Sequence, residues 1–309
     1  MLNLPKIAMG AWAWGNDGTF GDNYTAGDLK EVYQTAMKCG LNLWDTAAVY
    51  GMGTSEEILG ELSKDTDRQE LFFSTKFTPQ IEDGTPQAMQ NMLDESMKRL
   101  HTDVINIYWI HNPMDIEKYT PMLIPLMQSG KIQAAGVSNH NLAEIKRADE
   151  ILAAAGFKIS AVQNHYSLLN RSSEDSGILE YCKKNGITFY AYMVLEQGAL
   201  CGRYDTAHPF PEGSDRAKSY NPMMPQIERL VNAMREIADA HGAKPAQIAT
   251  AWAIAKGTLP IIGVTKTSHV EDAAKAASIA LSEKEIALME SAADELSLST
   301  IRYWEKKME

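Results

Sequence analysis

The chain has little that would tie it to an oxidising compartment, to nucleic acid or to a membrane. Only three of its 309 residues are cysteine, Cys39, Cys182 and Cys201, an odd number with no paired spacing. That argues against a disulfide framework and predicts reduced thiols in a cytoplasmic setting. Positive charge is scarce: 29 Lys plus Arg face 40 Asp plus Glu, a formal net charge of -11. Such a balance does not suit nucleic acid as the main partner. No apolar run approaches the ~18 residues of a membrane span, so no membrane partner is expected. The opening MLNLPKIAMG has no basic stretch leading into a long apolar core, so no secretory leader is expected either. Also missing is the Gly-x-Gly-x-x-Gly turn that a doubly wound dinucleotide fold places after its first strand.

What is present is an ordinary globular composition, 45% hydrophobic and 22% charged, arranged in a rhythm. Short apolar runs recur at KIAMGAW (6–12), LNLWDTA (41–47), LFFSTKF (71–77), INIYWIHN (105–112), IQAAGVSN (132–139), SAVQNHYS (160–167), ITFYAYM (187–193) and LPIIGVT (259–265). Helical stripes lie between them. Leu29, Val32, Tyr33, Ala36 and Met37 make one face. Met89, Met92, Leu93, Met97 and Leu100 make a second, with Thr85 as the expected N-cap and Pro86 in the first helical position. Leu142, Ile145, Ala148, Ile151 and Leu152 make a third, which Gly156 is placed to end.

Eight strands alternating with amphipathic helices predict an α/β fold, a (β/α)8 TIM barrel, as a single domain over 1–309. A long segment at about 203–224, rich in Pro, Gly and Asp, interrupts the rhythm after strand seven. Following strand eight, a helix near 268–278 precedes an extra C-terminal helix opened by the capping pair Ser282 and Glu285.

In such a barrel the active site lies at the carboxyl ends of the strands. Strand two ends at Asp45 with Tyr50 in its loop, strand three at Lys76, strand four at His111. Three adjacent strands therefore deliver ionisable groups to one small volume. An ammonium beside a phenol favours the phenolate and is expected to lower the tyrosine pKa. Asp45 would compensate the charge of Lys76. Tyr50 then becomes a candidate general acid toward a carbonyl oxygen, with His111 orienting that oxygen.

These residues carry a resemblance. DTAAVYG, STKF and IHNP, followed in order by GVSN (136–139), VQNHYS (162–167) and YAYMVLEQGALCGRY (190–204), look like the Asp-Tyr-Lys-His tetrad and cofactor motifs of the aldo-keto reductases. The match runs from about Gly10 to Asp272. It implies hydride transfer between a nicotinamide cofactor and a carbonyl, without a metal. Tyr50 would be the proton donor, tuned by Lys76 and Asp45. Ser138, Asn139 and Gln163 would hold the nicotinamide carboxamide, and Tyr192 would stack on its ring. Gly10, Ala11 and Trp12 after strand one, and Met193 and Leu195 after strand seven, complete the expected cofactor wall.

The chain also departs from the family pattern. Where relatives often read Tyr-Ser-Pro-Leu it has Tyr192-Met193-Val194-Leu195, so the serine that would meet the diphosphate is absent. Backbone amides from Gly198 to Leu200, with Arg203, are expected to take over. The family's Lys-Ser after strand eight is replaced by Gly263-Val264-Thr265-Lys266, followed by His269 and Asp272. Lys266 and His269 could still meet a 2′-phosphate, so NADPH is expected ahead of NADH. Trp12, Trp14 and Trp109 are expected to line a pocket for a small carbonyl substrate together with Tyr50 and His111. Few residues precede strand one, leaving the closure of the barrel bottom open, and the sequence is silent on oligomeric state. Two other functions use the same residues. A nicotinamide-binding sensor would resemble potassium-channel β subunits, and an aldolase would use Lys76 as a Schiff-base nucleophile.

Overall fold

The computed structural model describes residues 3–20, 23–302 and 305–308. Eight parallel strands close into a barrel in sequence order. They are β1 (Ala8–Gly10), β2 (Leu43–Asp45), β3 (Phe72–Phe77), β4 (Ile105–Ile110), β5 (Ile132–Ser138), β6 (Ile159–His165), β7 (Thr188–Tyr192) and β8 (Leu259–Gly263). Each overlaps one of the apolar runs, and most are shorter than the run because the rim residues turn into loops.

Alternation along the strands splits the core in two. Ala8, Leu43, Ile107, Trp109, Tyr190 and Leu259 are among those filling the barrel interior. The opposite faces meet the helices in one continuous outer core. Helix Ala26–Lys38 shows how local sequence builds that layer. Thr25 caps it reciprocally with Asp28, and the predicted stripe Leu29, Val32, Tyr33 and Ala36 is buried. The last helix, Glu283–Asp294, opens with the expected Ser282–Glu285 capping box.

One expectation changes, and two points that the sequence left open are filled in. Thr85 does not cap the second predicted helix, which begins at Ala88 with Gln87 at the cap position. Instead the Thr85 hydroxyl donates to Asp83 Oδ1 at 2.6 Å, a turn bond that competes with capping. The 203–224 segment is not wholly irregular, since it contains the short helix Asp215–Tyr220. The barrel bottom is closed by very little chain: Leu4, ahead of β1, packs with Phe72 and Ile261 against the inner core.

One glycine decides the interior. Trp109 lies in register with Gly136 on β5. A Cβ at Gly136 would stand 2.3 Å from the indole, so no larger residue leaves room for it. No helix among the described residues is long and apolar enough to cross a membrane.

Candidate active site

Parallel pairing of β2, β3 and β4 brings Asp45, Lys76 and His111 to the same end of the barrel. Lys76 is wholly buried, and its ammonium group has three acceptors. Asp45 Oδ1 lies at 2.6 Å, the Thr46 carbonyl at 2.7 Å and the Tyr50 hydroxyl at 3.4 Å. Burial works to discharge Lys76, but Asp45 and Tyr50 together hold its pKa above the ordinary value. A protonated amine whose N–H groups are all engaged is not a nucleophile, which argues against the Schiff-base reading.

The tyrosine corrects the expected sign. Burial raises the Tyr50 pKa and outweighs the attraction of Lys76, whose charge Asp45 partly cancels. The resting phenol therefore keeps its proton at neutral pH, as a proton donor must. An ammonium so placed would stabilise a phenolate there.

Position is set by the loop. Gly51, at φ +60°, lies so close to Gly15 that an added Cβ would meet its carbonyl oxygen at 1.8 Å. This glycine contact clamps the β2 loop against the β1 loop and fixes Tyr50 between them. Trp12 stacks over Tyr50 with centroids 5.8 Å apart, and Phe20 meets Trp12 edge-on at 5.2 Å. His111 stands edge-on to Tyr50 at 5.9 Å. Burial, then the Lys76 charge, pushes the His111 pKa well down, so the ring is neutral. Its Nδ1 is 3.0 Å from the Thr78 hydroxyl. If that hydroxyl donates, the remaining proton is on Nε2, the tautomer able to donate to a carbonyl oxygen.

Beneath the tetrad lies a polar floor. Ser74 donates to Asp45 Oδ2 at 2.7 Å and accepts from the Trp109 indole at 2.7 Å. Gln163 Nε2 also reaches Asp45 Oδ2, at 3.1 Å. Trp109 does share the inward face with His111, but it is wholly buried and edge-on to Tyr190, so it supports the floor and does not line a pocket. Trp14 is likewise not a pocket residue. It is wholly buried against Trp44, with its indole donating to the Val264 carbonyl at 2.7 Å.

Across the mouth, β5, β6 and β7 end in Ser138, His165 and Tyr192. Asn139 adopts φ +62°. Its Nδ2 donates to the His111 carbonyl at 3.0 Å, and its Oδ1 accepts from the Tyr192 hydroxyl at 2.6 Å. Ser138 is 3.3 Å from the same amide, so Ser138, Asn139, Gln163 and Tyr192 form one polar wall linked to the tetrad.

Further round, Met193 takes φ +61° and Leu195 is half-buried. The amides of Gly198 and Leu200 both donate to the Leu195 carbonyl, at 2.8 and 3.2 Å, and the Leu200 side chain is fully buried in the outer core. These two amides are thus satisfied internally, contrary to their expected phosphate role. Ala11 is also turned away, buried in the outer core with its amide on the Asp45 carbonyl at 2.9 Å. Gly10 keeps β1 and β8 close, its carbonyl accepting from Val264 N at 3.2 Å.

The residues present nevertheless fit a nicotinamide dinucleotide. Both amide atoms of Gln197 are buried without a hydrogen-bond partner among the described residues, as beside a polar group still to come. An added Cβ at Gly263, ending β8, would meet nothing within 4 Å, so that rim has room for a ligand. Arg203, Lys266 and Lys244 lie close enough to His269 to help burial lower its pKa. Thr265 N donates to His269 Nδ1 at 3.3 Å, fixing the ring there. A basic cluster in so acidic a chain suits phosphates. Asp272 is held within it by Lys244 and Gln247, at 2.9 and 2.7 Å.

The segment after the last helix also reaches this mouth. Glu305 Oε1 is 2.9 Å from the Tyr192 hydroxyl, and its Oε2 is 2.8 Å from His165 Nδ1. Glu196 takes the other ring nitrogen at 2.8 Å, with Thr300 and Tyr220 also donating to it, each at 2.9 Å. Although burial opposes it, the two carboxylates raise the His165 pKa to about 10.

A closed parallel barrel with such a tetrad at its strand ends defines a class of barrel oxidoreductases, and comparison with known proteins narrows it. The sequence model of the Aldo/keto reductase family matches residues 6–294. The chain belongs to that family. It is 32% identical to an aldo-keto reductase [NADP(+)] of Schizosaccharomyces pombe, over 88% of this chain and 84% of that one. It is 30% identical to a chloroplastic pyridoxal reductase of Arabidopsis thaliana, over 97% and 86%. Among solved structures, a thermostable aldo-keto reductase bound to the inhibitor epalrestat superimposes with a TM-score of 0.76 at 29% identity, covering 94% of this chain and 95% of that one.

Proposed function

We propose that the protein reduces small aldehydes or ketones to alcohols with NADPH, Tyr50 donating the proton. The observation that carries this reading is the buried triad in which Lys76 bonds Asp45 at 2.6 Å and reaches the Tyr50 hydroxyl at 3.4 Å. NADPH, when bound, supplies a hydride to the carbonyl carbon. His111 orients the carbonyl oxygen, and Tyr50 gives that oxygen its proton. The phenolate left behind is stabilised by Lys76, whose own charge Asp45 balances.

Ser138 and Gln163 would hold the carboxamide, braced by Asn139, with Tyr192 against the ring. Arg203, Lys266 and His269 would meet the phosphates, which favours NADPH over NADH. Trp12 stacks on Tyr50 and meets Phe20 edge-on, an aromatic setting that suits small uncharged carbonyl compounds. The three free thiols fit a reducing, cytoplasmic setting. A non-catalytic nicotinamide sensor is not favoured, because the curated relatives are named as reductases.

The test is Tyr50→Phe, which removes one oxygen. NADPH oxidation with a panel of aldehydes should fall at least ~10²-fold, the low end of an acid–base contribution. NADPH binding, followed by fluorescence titration, should persist. Turnover at the wild-type rate would refute the assignment.

A further inference from the structure

The carboxylate of Glu305 comes from outside the barrel yet bonds Tyr192, the ring assigned above to the nicotinamide. We propose that Glu305 biases the site toward the oxidised cofactor over the reduced one, by holding its carboxylate charge against the Tyr192 hydroxyl. The inference rests on the reading that Tyr192 stacks on the nicotinamide.

The geometry leaves Tyr192 with one proton and two acceptors, Asn139 Oδ1 at 2.6 Å and Glu305 Oε1 at 2.9 Å. Whichever acceptor takes the proton, a carboxylate lying against the phenol oxygen makes the ring face more electron-rich. An oxidised nicotinamide ring is cationic and a reduced one is neutral, so only the oxidised ring gains from that face and that charge. Glu305 is not simply neutralised by His165, because His165 also serves Glu196 on its other nitrogen. The Glu305 carboxylate keeps one oxygen on Tyr192, while the protonated His165 ring, 5.6 Å from that phenol ring, is shared with Glu196. The neighbouring Lys306 is paired with Glu144.

The segment is held firmly enough for this role. Thr300 bonds Glu196 at 2.9 Å, Arg302 N bonds Glu305 Oε2 at 3.0 Å, and Met308 is buried. A purely structural strap would need these anchors too. It would not need a carboxylate aimed at the hydroxyl of a cofactor-stacking ring.

The experiment measures NADP+ and NADPH dissociation constants for wild type and Glu305→Gln by calorimetry or tryptophan fluorescence. The variant keeps shape and removes charge. NADP+ should bind about tenfold more weakly, the size of a partly desolvated cation–π contact, with NADPH within about twofold. Equal weakening of both forms, or no change in either, overturns the proposal. Should Glu305→Gln fail to fold, Tyr192→Phe deletes the bond while keeping ring and strap, and must move the ratio the same way. Tyr192→Ala run alongside separates the premises: if neither form then loses affinity, the stacking assignment fails, whatever Glu305 does.

Discussion

Replacing Lys76 by methionine keeps most of the side-chain volume and removes one buried charge. In the wild type, the ammonium bonds Asp45 at 2.6 Å and the Thr46 carbonyl at 2.7 Å, and contacts the Tyr50 hydroxyl at 3.4 Å. Two separate losses follow. Tyr50 loses the cation that stabilises its phenolate, so kcat/KM should drop by at least ~10²-fold. Asp45 loses its counter-charge while still buried, and breaking a buried pair from one side costs about 3–5 kcal/mol. Ser74 and Gln163 still donate to Asp45, which puts the expected stability loss near the lower figure, ~3 kcal/mol.

The two losses can be separated in one series. Adding Asp45→Asn to Lys76→Met removes the orphaned charge and should recover about 2 kcal/mol in chemical denaturation. The same double variant should stay as inactive as Lys76→Met in an NADPH-oxidation assay, because Tyr50 still has no cation. If Lys76→Met kept activity within tenfold of wild type, Lys76 would not be tuning Tyr50. If the double variant were no more stable than the single, Asp45 would not be the partner that Lys76 compensates.

Gly136→Ala should lower stability by about 1–3 kcal/mol, the usual cost of overpacking, because its Cβ would stand 2.3 Å from Trp109. An unchanged denaturation midpoint would refute that fit. The C-terminal strap should weaken on the alkaline side. The His165 pKa is raised from 6.5 unfolded to about 10 folded, so its contribution is complete below about 6.5 and lost as pH rises through about 10. The gap in melting temperature between wild type and His165→Gln should therefore narrow as pH climbs toward 10, and a constant or widening gap would count against the ion triad.

The sequence made some parts legible and hid others for physical reasons. Strand positions and the placing of Asp45, Lys76 and His111 at one barrel end follow from periodicity, whereas Tyr50, in a loop, is joined to them as a tetrad by the family resemblance. Ser74 was within reach of the same logic, because two residues before Lys76 on one strand means the same inward face. Trp14 and Trp109 are buried deeper than expected, because a place just after β1, or a face given by alternation along β4, does not give depth. Burial decided the sign of the Tyr50 shift, and sequence shows the neighbouring charge but not the lost water. The strap was out of reach altogether: Glu305 meets His165 and Tyr192 across 140 and 113 residues, with no repeating pattern to announce it.

The strained backbone separates the two ends of the barrel in the same way. Non-glycine residues with positive φ number eight among those described: Asn16, Met52, His101, Asn139, Met193, Glu196, Gln197 and Ser297. All but His101 and Ser297 lie in segments leaving the carboxyl ends of β1, β2, β5 and β7. Each such residue costs on the order of 1–3 kcal/mol and persists only where its surroundings hold it. The surroundings are visible in two cases. Asn139 is tied at both ends of its amide, and Glu196 is gripped by His165, Thr300 and Tyr220. The opposite end is closed by Leu4, Phe72 and Ile261 through apolar packing. Strain is thus concentrated where side chains must converge on a ligand, and the strap that carries Glu305 anchors one of the strained residues it crosses.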